Sequence, residues 1–289
     1  MTNEQFKEIF KIQDEFNTST NGKYWFLGIA DNGKGIIWDL AYCMERAELL
    51  NWYNWKHWTD DIGVKNLNQV KIELTDMFHF VLSKLLELGY INLYRNLLST
   101  LPGYTTSNAK NNAEIMEWIK KIDTESEEVK NAVDELYSQL VIASRLEDSV
   151  IEQRKQLEKQ AAEAGRKLGD ADFLSIVVNG VLGNTHTLAH ERDASMQTYI
   201  VQEFYLLIAI AEIVYDFGVD ELYKMYIGKL ALNKLRQNNG YKTGKYKKYW
   251  SEDKEDNDYL VELVKDEDSS LITVDSIYAK LEDKYKTIK

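Results

Sequence analysis

The sequence predicts an all-α protein, a helical bundle. A single proline, Pro102, stands in 289 residues, so long stretches carry nothing that would interrupt a helix. No run shows the strict two-residue alternation of a half-buried strand. Hydrophobic residues make up 44% of the chain, enough to bury a real core at this length.

A first helix is expected over about 3–17, where Phe6, Ile9, Phe10 and Phe16 mark an apolar stripe with Gln13 and Asn17 on or beside it. A loop rich in Asn and Gly follows over 18–35. Further helices are expected over 36–53, 67–90, 110–122, 125–168, 194–216 and 220–237, with loops at 54–66, 98–108 and 238–258. Thr124-Glu-Ser-Glu127 has the pattern of a capping box that opens the long charged helix. The segment 103–170 is highly polar and lies between a Leu-Pro-Gly break and a Gly-Asp pair. It is a candidate for a mobile helical subdomain within a single domain spanning 1–289.

The net charge of −12 argues against general nucleic-acid binding, which needs a basic surface, so any anion site must be local. The N-terminus has neither a basic nor an apolar targeting region, and the longest apolar run, Phe204 to Ala211, is too short to span a bilayer. A cytoplasmic protein is expected. Cys43, the single cysteine, reads as a small buried hydrophobe that fits a reducing compartment.

Chemistry concentrates in two helices. Glu45 and Glu48 lie one turn apart, and Ile37, Ala41 and Met44 run into Glu48, so this carboxylate is expected to continue an apolar stripe. Glu73 and Asp76 repeat the spacing beside Met77, Phe78, Phe80 and Val81. No Lys or Arg on either stripe answers the four acids, and burying such charges is expensive unless something positive meets them. Glu-x-x-Glu is common on solvated helix faces; two such pairs on largely apolar helices are what Mg²⁺ needs. Two other metal readings are weaker. Glu45-x-x-Glu48 with Asp76-x-x-His79 matches di-iron bundles only in part, because a second Glu-x-x-His is absent. His186 and His190 have helical i, i+4 spacing but no third ligand with motif spacing.

Glu45-x-x-Glu48, twenty-four residues, then Glu73-x-x-Asp76 resembles the metal signature of the all-α NTP pyrophosphatases, the superfamily that includes MazG and the dimeric dUTPases. Three further stretches resemble the dimeric dUTPases in particular: Gln13 to Asn17, Trp55-Lys-His-Trp58 with His79-Phe80, and Leu232 to Trp250. Together they run from residue 13 to about 257, with 103–170 unmatched.

The resemblance implies Mg²⁺-dependent hydrolysis of dUTP and dUDP to dUMP by a homodimer. It implies two or more ions on Glu45, Glu48, Glu73 and Asp76, with Glu45 or Glu48 as general base. Base and sugar would be met by Gln13, Asn17, Trp55, Trp58, His79 and Phe80, and two carboxamides can complement uracil O2, N3–H and O4. Phosphates would be met by Lys56, Lys229, Asn233, Arg236, Asn239, Tyr241, Lys242 and Lys247. Lys229, Asn233, Arg236 and Gln237 recur on one helical ridge that leads into the loop. Asn239-Gly240 suits a left-handed helix end, Gly244 suits close backbone approach, and Lys242, Lys245, Lys247 and Lys248 add positive charge. The acidic run from Glu252 to Asp258 would repel a long polyanion, leaving a small one.

The family ending Trp-x-Gly-x-Glu-Asp-Asn becomes Trp250-Ser-Glu-Asp-Lys-Glu-Asp-Asn257, one residue longer and without its glycine. Glu255, Asp256 and Asn257 therefore have no assigned role, and Thr59 stands where some relatives carry lysine. A pyrophosphatase for another nucleotide such as dCTP, or a non-catalytic helical interaction protein, is the alternative reading.

Overall fold

The computed structural model describes residues 1–56, 58, 63–108, 110–187 and 194–288. His57, Thr59 and His190 of the motifs above lie outside them. Among the described residues there are eleven α-helices and, beyond three isolated bridges, no strand pairing, so the all-α class holds. In chain order they are α1 (Asn3–Asn21), α2 (Trp38–Leu49), α3 (Leu67–Ser99), α4 (Asn112–Ile119), α5 (Glu127–Ser144), α6 (Leu146–Glu163), α7 (Asp170–Thr187), α8 (Ala194–Tyr215), α9 (Val219–Asn238), α10 (Asp256–Lys265) and α11 (Val274–Ile288). No described helix is long and apolar enough to cross a membrane.

The chain divides into two compact units, one of residues 2–39 and 80–146, the other of residue 1 with 40–79 and 147–289. In the first, Thr2 caps α1 by accepting from the Gln5 N–H while Gln5 reaches back to the Thr2 N–H, a reciprocal pair that satisfies two orphan donors. The helix buries Phe6, Ile9, Phe10, Gln13 and Asn17 and runs on to Asn21, past the expected end at 17. It packs against α5. The α5 cap is Ser126, whose hydroxyl accepts from the Val129 N–H, and not Thr124. Asp123 takes the preceding residues into a turn by accepting from Glu125 and Ser126.

The single helix expected over 125–168 is two, because Arg145 adopts a left-handed conformation with φ 45° and closes α5. The 103–170 segment is thus cut by the division between units near residue 146. Helix α3 continues to Ser99, nine residues past the expected end, burying Tyr90, Tyr94 and Leu98 at four-residue spacing.

The second unit holds the apolar run of α8, with Phe204 and Leu207 to Ala211 fully buried, packed on α7. Helix α9 packs on α10 and α11. The pattern alone does not assign α7, α10 or α11. Gly180 and Gly183 lower the propensity of α7, and α10 begins within a run of acids that reads as a loop. Asp258 rescues that start by accepting from the Glu255 N–H at 3.0 Å.

Candidate active site

Helices α2 and α3 bring three of the four predicted carboxylates together. Glu45, Glu73 and Asp76 each place a ligand oxygen so that all three lie within 4.8 Å of one another. Burial and the charges of Asp76, Glu73 and Glu48 push the Glu45 carboxyl up to about 8. Burial also raises Glu73, against the opposing effect of the Trp52 indole N–H, which donates to it at 3.0 Å.

Two expectations about these acids change. The face of α2 that is buried carries Trp38, Tyr42, Arg46 and Leu49, so Ile37, Met44 and Glu48 are exposed. A basic partner exists as well: Lys229 of α9, only 4% exposed, places Nζ 2.9 Å from Asp76. Arg46 cannot serve, because it is fully buried in an ion pair with Glu203 and donates Nε to the Val177 carbonyl. Clustered carboxylates beside one ammonium form a donor set of hard oxygens that a divalent cation fits.

A stability consequence follows. Glu45 is raised from 4.5, so the folded state holds a proton that the unfolded state releases, and stability falls as pH climbs toward 8. Buried His79 is lowered from 6.5 to about 4, and its contribution instead grows with pH up to 6.5. Above pH 6.5 the His79 contribution is complete, and the raised Glu45, with Glu73 raised in the same direction, sets the slope. In chelator the Tm is expected to fall over that window, and added divalent ion should restore more at pH 8 than at 6.5; a Tm that rises across it in chelator would rule this out.

The polar chain continues from Lys229, which donates to Asn257 Oδ1 at 3.2 Å, to Arg236, which donates to the same oxygen at 3.2 Å. Arg236 is held by Asp256, fully buried, in a two-pronged pair at 2.8 Å on each arm. Asp256 also accepts from the Tyr246 hydroxyl and the Asn257 N–H. Asn233 accepts from Arg236, and the Tyr241 ring lies 5.7 Å from its guanidinium. Asp256 and Asn257 are the residues that reading the sequence left without a role; the Glu-Asp-Asn ending was their signal.

The loop after α9 turns as expected at Gly240, left-handed with φ 80°, after Asn239 closes the helix by donating to the Leu235 carbonyl. Its two glycines and exposed lysines suggest a loop that takes shape only with a ligand. Several contacts oppose that reading. Tyr246 is stacked 5.0 Å from Tyr285, whose hydroxyl accepts from the Lys247 N–H, and Trp250 donates to the Lys247 carbonyl. Lys247 Nζ reaches the Ile288 carbonyl and Lys248 pairs with Glu255, whereas Lys242 is exposed.

The remaining predicted residues sort by environment. Trp55 and Trp58 are exposed and meet edge-on at 6.0 Å, and Lys56 between them is exposed. His79 is buried against Tyr226, with ring centroids 4.5 Å apart. In the other unit, Phe80 lies half-buried, its ring 6.1 Å from that of Trp38. Gln13 and Asn17 there form one network with Ser83. Gln13 Nε2 donates to Asn17 Oδ1 at 3.0 Å and to Ser83 Oγ at 3.1 Å, and Asn17 Nδ2 donates to Ser83 Oγ at 3.1 Å. Nothing in the sequence marks Ser83 beyond a hydroxyl in the apolar run of α3.

The fold and site define an all-α protein in which carboxylates, a lysine and an arginine form one continuous polar chain, with an acidic site compatible with a divalent cation. The family model described as dUTPase matches residues 5–241, well over half of the chain. The chain belongs to the dUTPase family, and its activity is that of a dUTP diphosphatase. No match was found among curated proteins. Lys242 and Lys247 lie beyond the matched residues.

Proposed function

We propose that the protein is a cytoplasmic homodimer that hydrolyses dUTP to dUMP and pyrophosphate, and dUDP to dUMP and phosphate, with two or more Mg²⁺ ions. The observation that carries the reading is the Glu45, Glu73 and Asp76 cluster with Lys229 beside it. Glu48, whose charge acts on both Glu45 and Glu73, completes the ligand set. When bound, Mg²⁺ supplies charge neutralisation for a phosphate chain and Lewis-acid assistance at phosphorus.

The chain's own groups do the rest. Glu45 or Glu48 takes the proton of the attacking water. Lys229 exchanges its Asp76 partner for phosphate oxygens, and Arg236, with Asn233, Asn239, Tyr241, Lys56, Lys242 and Lys247, adds charge-assisted or polar contacts. Gln13 and Asn17 read the base, and Trp55, Trp58, His79 and Phe80 enclose base and sugar. The net charge of −12 fits a small nucleotide rather than nucleic acid.

Product release from dUTP, dUDP, dCTP and dTTP, measured with Mg²⁺ and with EDTA, tests the reading. Turnover of dUTP and dUDP that EDTA abolishes is expected; a preference for dCTP would reassign the base, and insensitivity to EDTA would remove the metal. Asn17→Ala is a second test. It deletes a buried partner whose Nδ2 has one hydrogen beyond its bond to Ser83, so the kcat/KM ratio of dUTP over dCTP should fall by about tenfold or more. An unchanged ratio with only lower stability would make Asn17 structural.

A further inference from the structure

Beside the two amides, on the next position of α1, Asp14 collects three donors from three different elements. Its Oδ1 accepts from the Trp25 indole N–H at 3.1 Å, and its Oδ2 accepts from Tyr137 of α5 at 2.7 Å and from Tyr90 of α3. Trp25, Tyr90 and Tyr137 are all more than nine-tenths buried. Burial and the Asp14 charge push both hydroxyls above the usual tyrosine range, so both remain donors.

Ser83 and Tyr90 stand seven residues apart, on one face of α3. Helix α3 therefore grips α1 at two points, Ser83 at Gln13 and Asn17, and Tyr90 at Asp14. Helix α5 is held close to this second grip. Next to Tyr90, a Cβ on Gly89 would lie 2.5 Å from Leu136 Cδ1 and 3.4 Å from Leu140 Cδ2, so side chains of α5 pack directly on the α3 backbone there.

We propose that Asp14 is a positioning residue for base selection, through which Tyr137 of α5 sets the orientation of Gln13 and Asn17. The proposal rests on the reading of those amides as the base-reading groups. A charged acceptor with three buried donors fixes the rotation of α1 about its axis. Carboxamides one residue before it and three after it can then be held to the fraction of an ångström that discrimination requires.

The test measures kcat/KM for dUTP and dCTP, with Tm, in the full chain and four variants: Asp14→Asn, Tyr137→Phe, the double variant, and Asp134→Asn. The last breaks the Lys7–Asp134 ion pair, 2.7 Å and exposed, which is another α1–α5 link seven residues before Asp14 on α1. The dUTP-over-dCTP ratio should fall about three- to tenfold in Tyr137→Phe and about tenfold or more in Asp14→Asn, with kcat for dUTP within about twofold of wild type. The double variant should be no worse than Asp14→Asn, since Tyr137 acts through Asp14. Asp134→Asn should leave the ratio unchanged.

An unchanged ratio in Asp14→Asn, additive losses in the double variant, or an equal fall in Asp134→Asn would each overturn the proposal. Tyr137→Phe, which keeps the ring, decides the case if Asp14→Asn fails to fold. A wild type that prefers another base would overturn the uracil reading. The change of ratio on substitution would still decide the role of Asp14.

Discussion

Glu45→Gln is expected to lower kcat for dUTP by a hundredfold or more and, at pH 8 in chelator, to raise the Tm. Both effects have one cause. Burial of Glu45, and after it the charges of Asp76, Glu73 and Glu48, resist its ionisation in the absence of a cation. An amide of the same shape has no charge to desolvate or repel, so the metal-free fold gains stability. The same change removes a carboxylate from the set that would hold Mg²⁺, and losing metal-assisted chemistry costs about 3 kcal/mol or more of transition-state stabilisation.

Asp76→Asn separates the two effects, because Asp76 also pairs with Lys229. Its activity should fall as far, yet its Tm in chelator should fall too, since the buried ammonium loses its charged partner and keeps the neutral Asn257 amide oxygen at 3.2 Å. Activity near wild type in Glu45→Gln would remove the metal-site assignment. Equal Tm changes in the two variants would remove the electrostatic account.

Arg236→Ala should cut kcat/KM for dUTP by roughly ten- to a thousandfold and lower stability by about 3–5 kcal/mol, the range for deleting one partner of a buried ion pair. Asp256 is fully buried, and without the guanidinium it keeps the Tyr246 hydroxyl and the Asn257 N–H as hydrogen-bond donors. The size of the stability loss follows from that remaining charge. The kinetic loss would have a different origin, the proposed contact with a phosphate, and the two are separated by assaying well below the variant's Tm. Normal kcat/KM there, with the stability loss present, would make Arg236 an anchor of the loop after α9 and not a phosphate ligand.

The acidic cluster of the candidate site was legible along the chain because its spacing is local. Glu45 with Glu48, and Glu73 with Asp76, are spaced by the helical turn, and the turn at Gly240 follows from a residue type that tolerates positive φ. The all-α class followed from the near absence of proline, although α7, α10 and α11 were not assigned individually. Helix ends were less legible: Arg145 has no intrinsic preference that marks it as a left-handed cap, and a run of acids conceals the start of α10.

Residue order alone settles which side chains are available on each helical face, since the 3.6-residue repeat needs no partner to operate. It leaves open which face is turned inward. Helix α2 buries Tyr42 and Arg46 and leaves Met44 and Glu48 exposed, a choice made by packing against residues far away in sequence. The ion partner of Asp76 lies 153 positions later, at Lys229, and the carboxylate that locks Arg236 comes from the start of α10. Asp14 meets Tyr90 and Tyr137 only because three helices converge on it. Charges and hydrogen bonds act over a few ångströms of space, so tertiary structure assigned these partners, while the sequence could name only the groups that needed them.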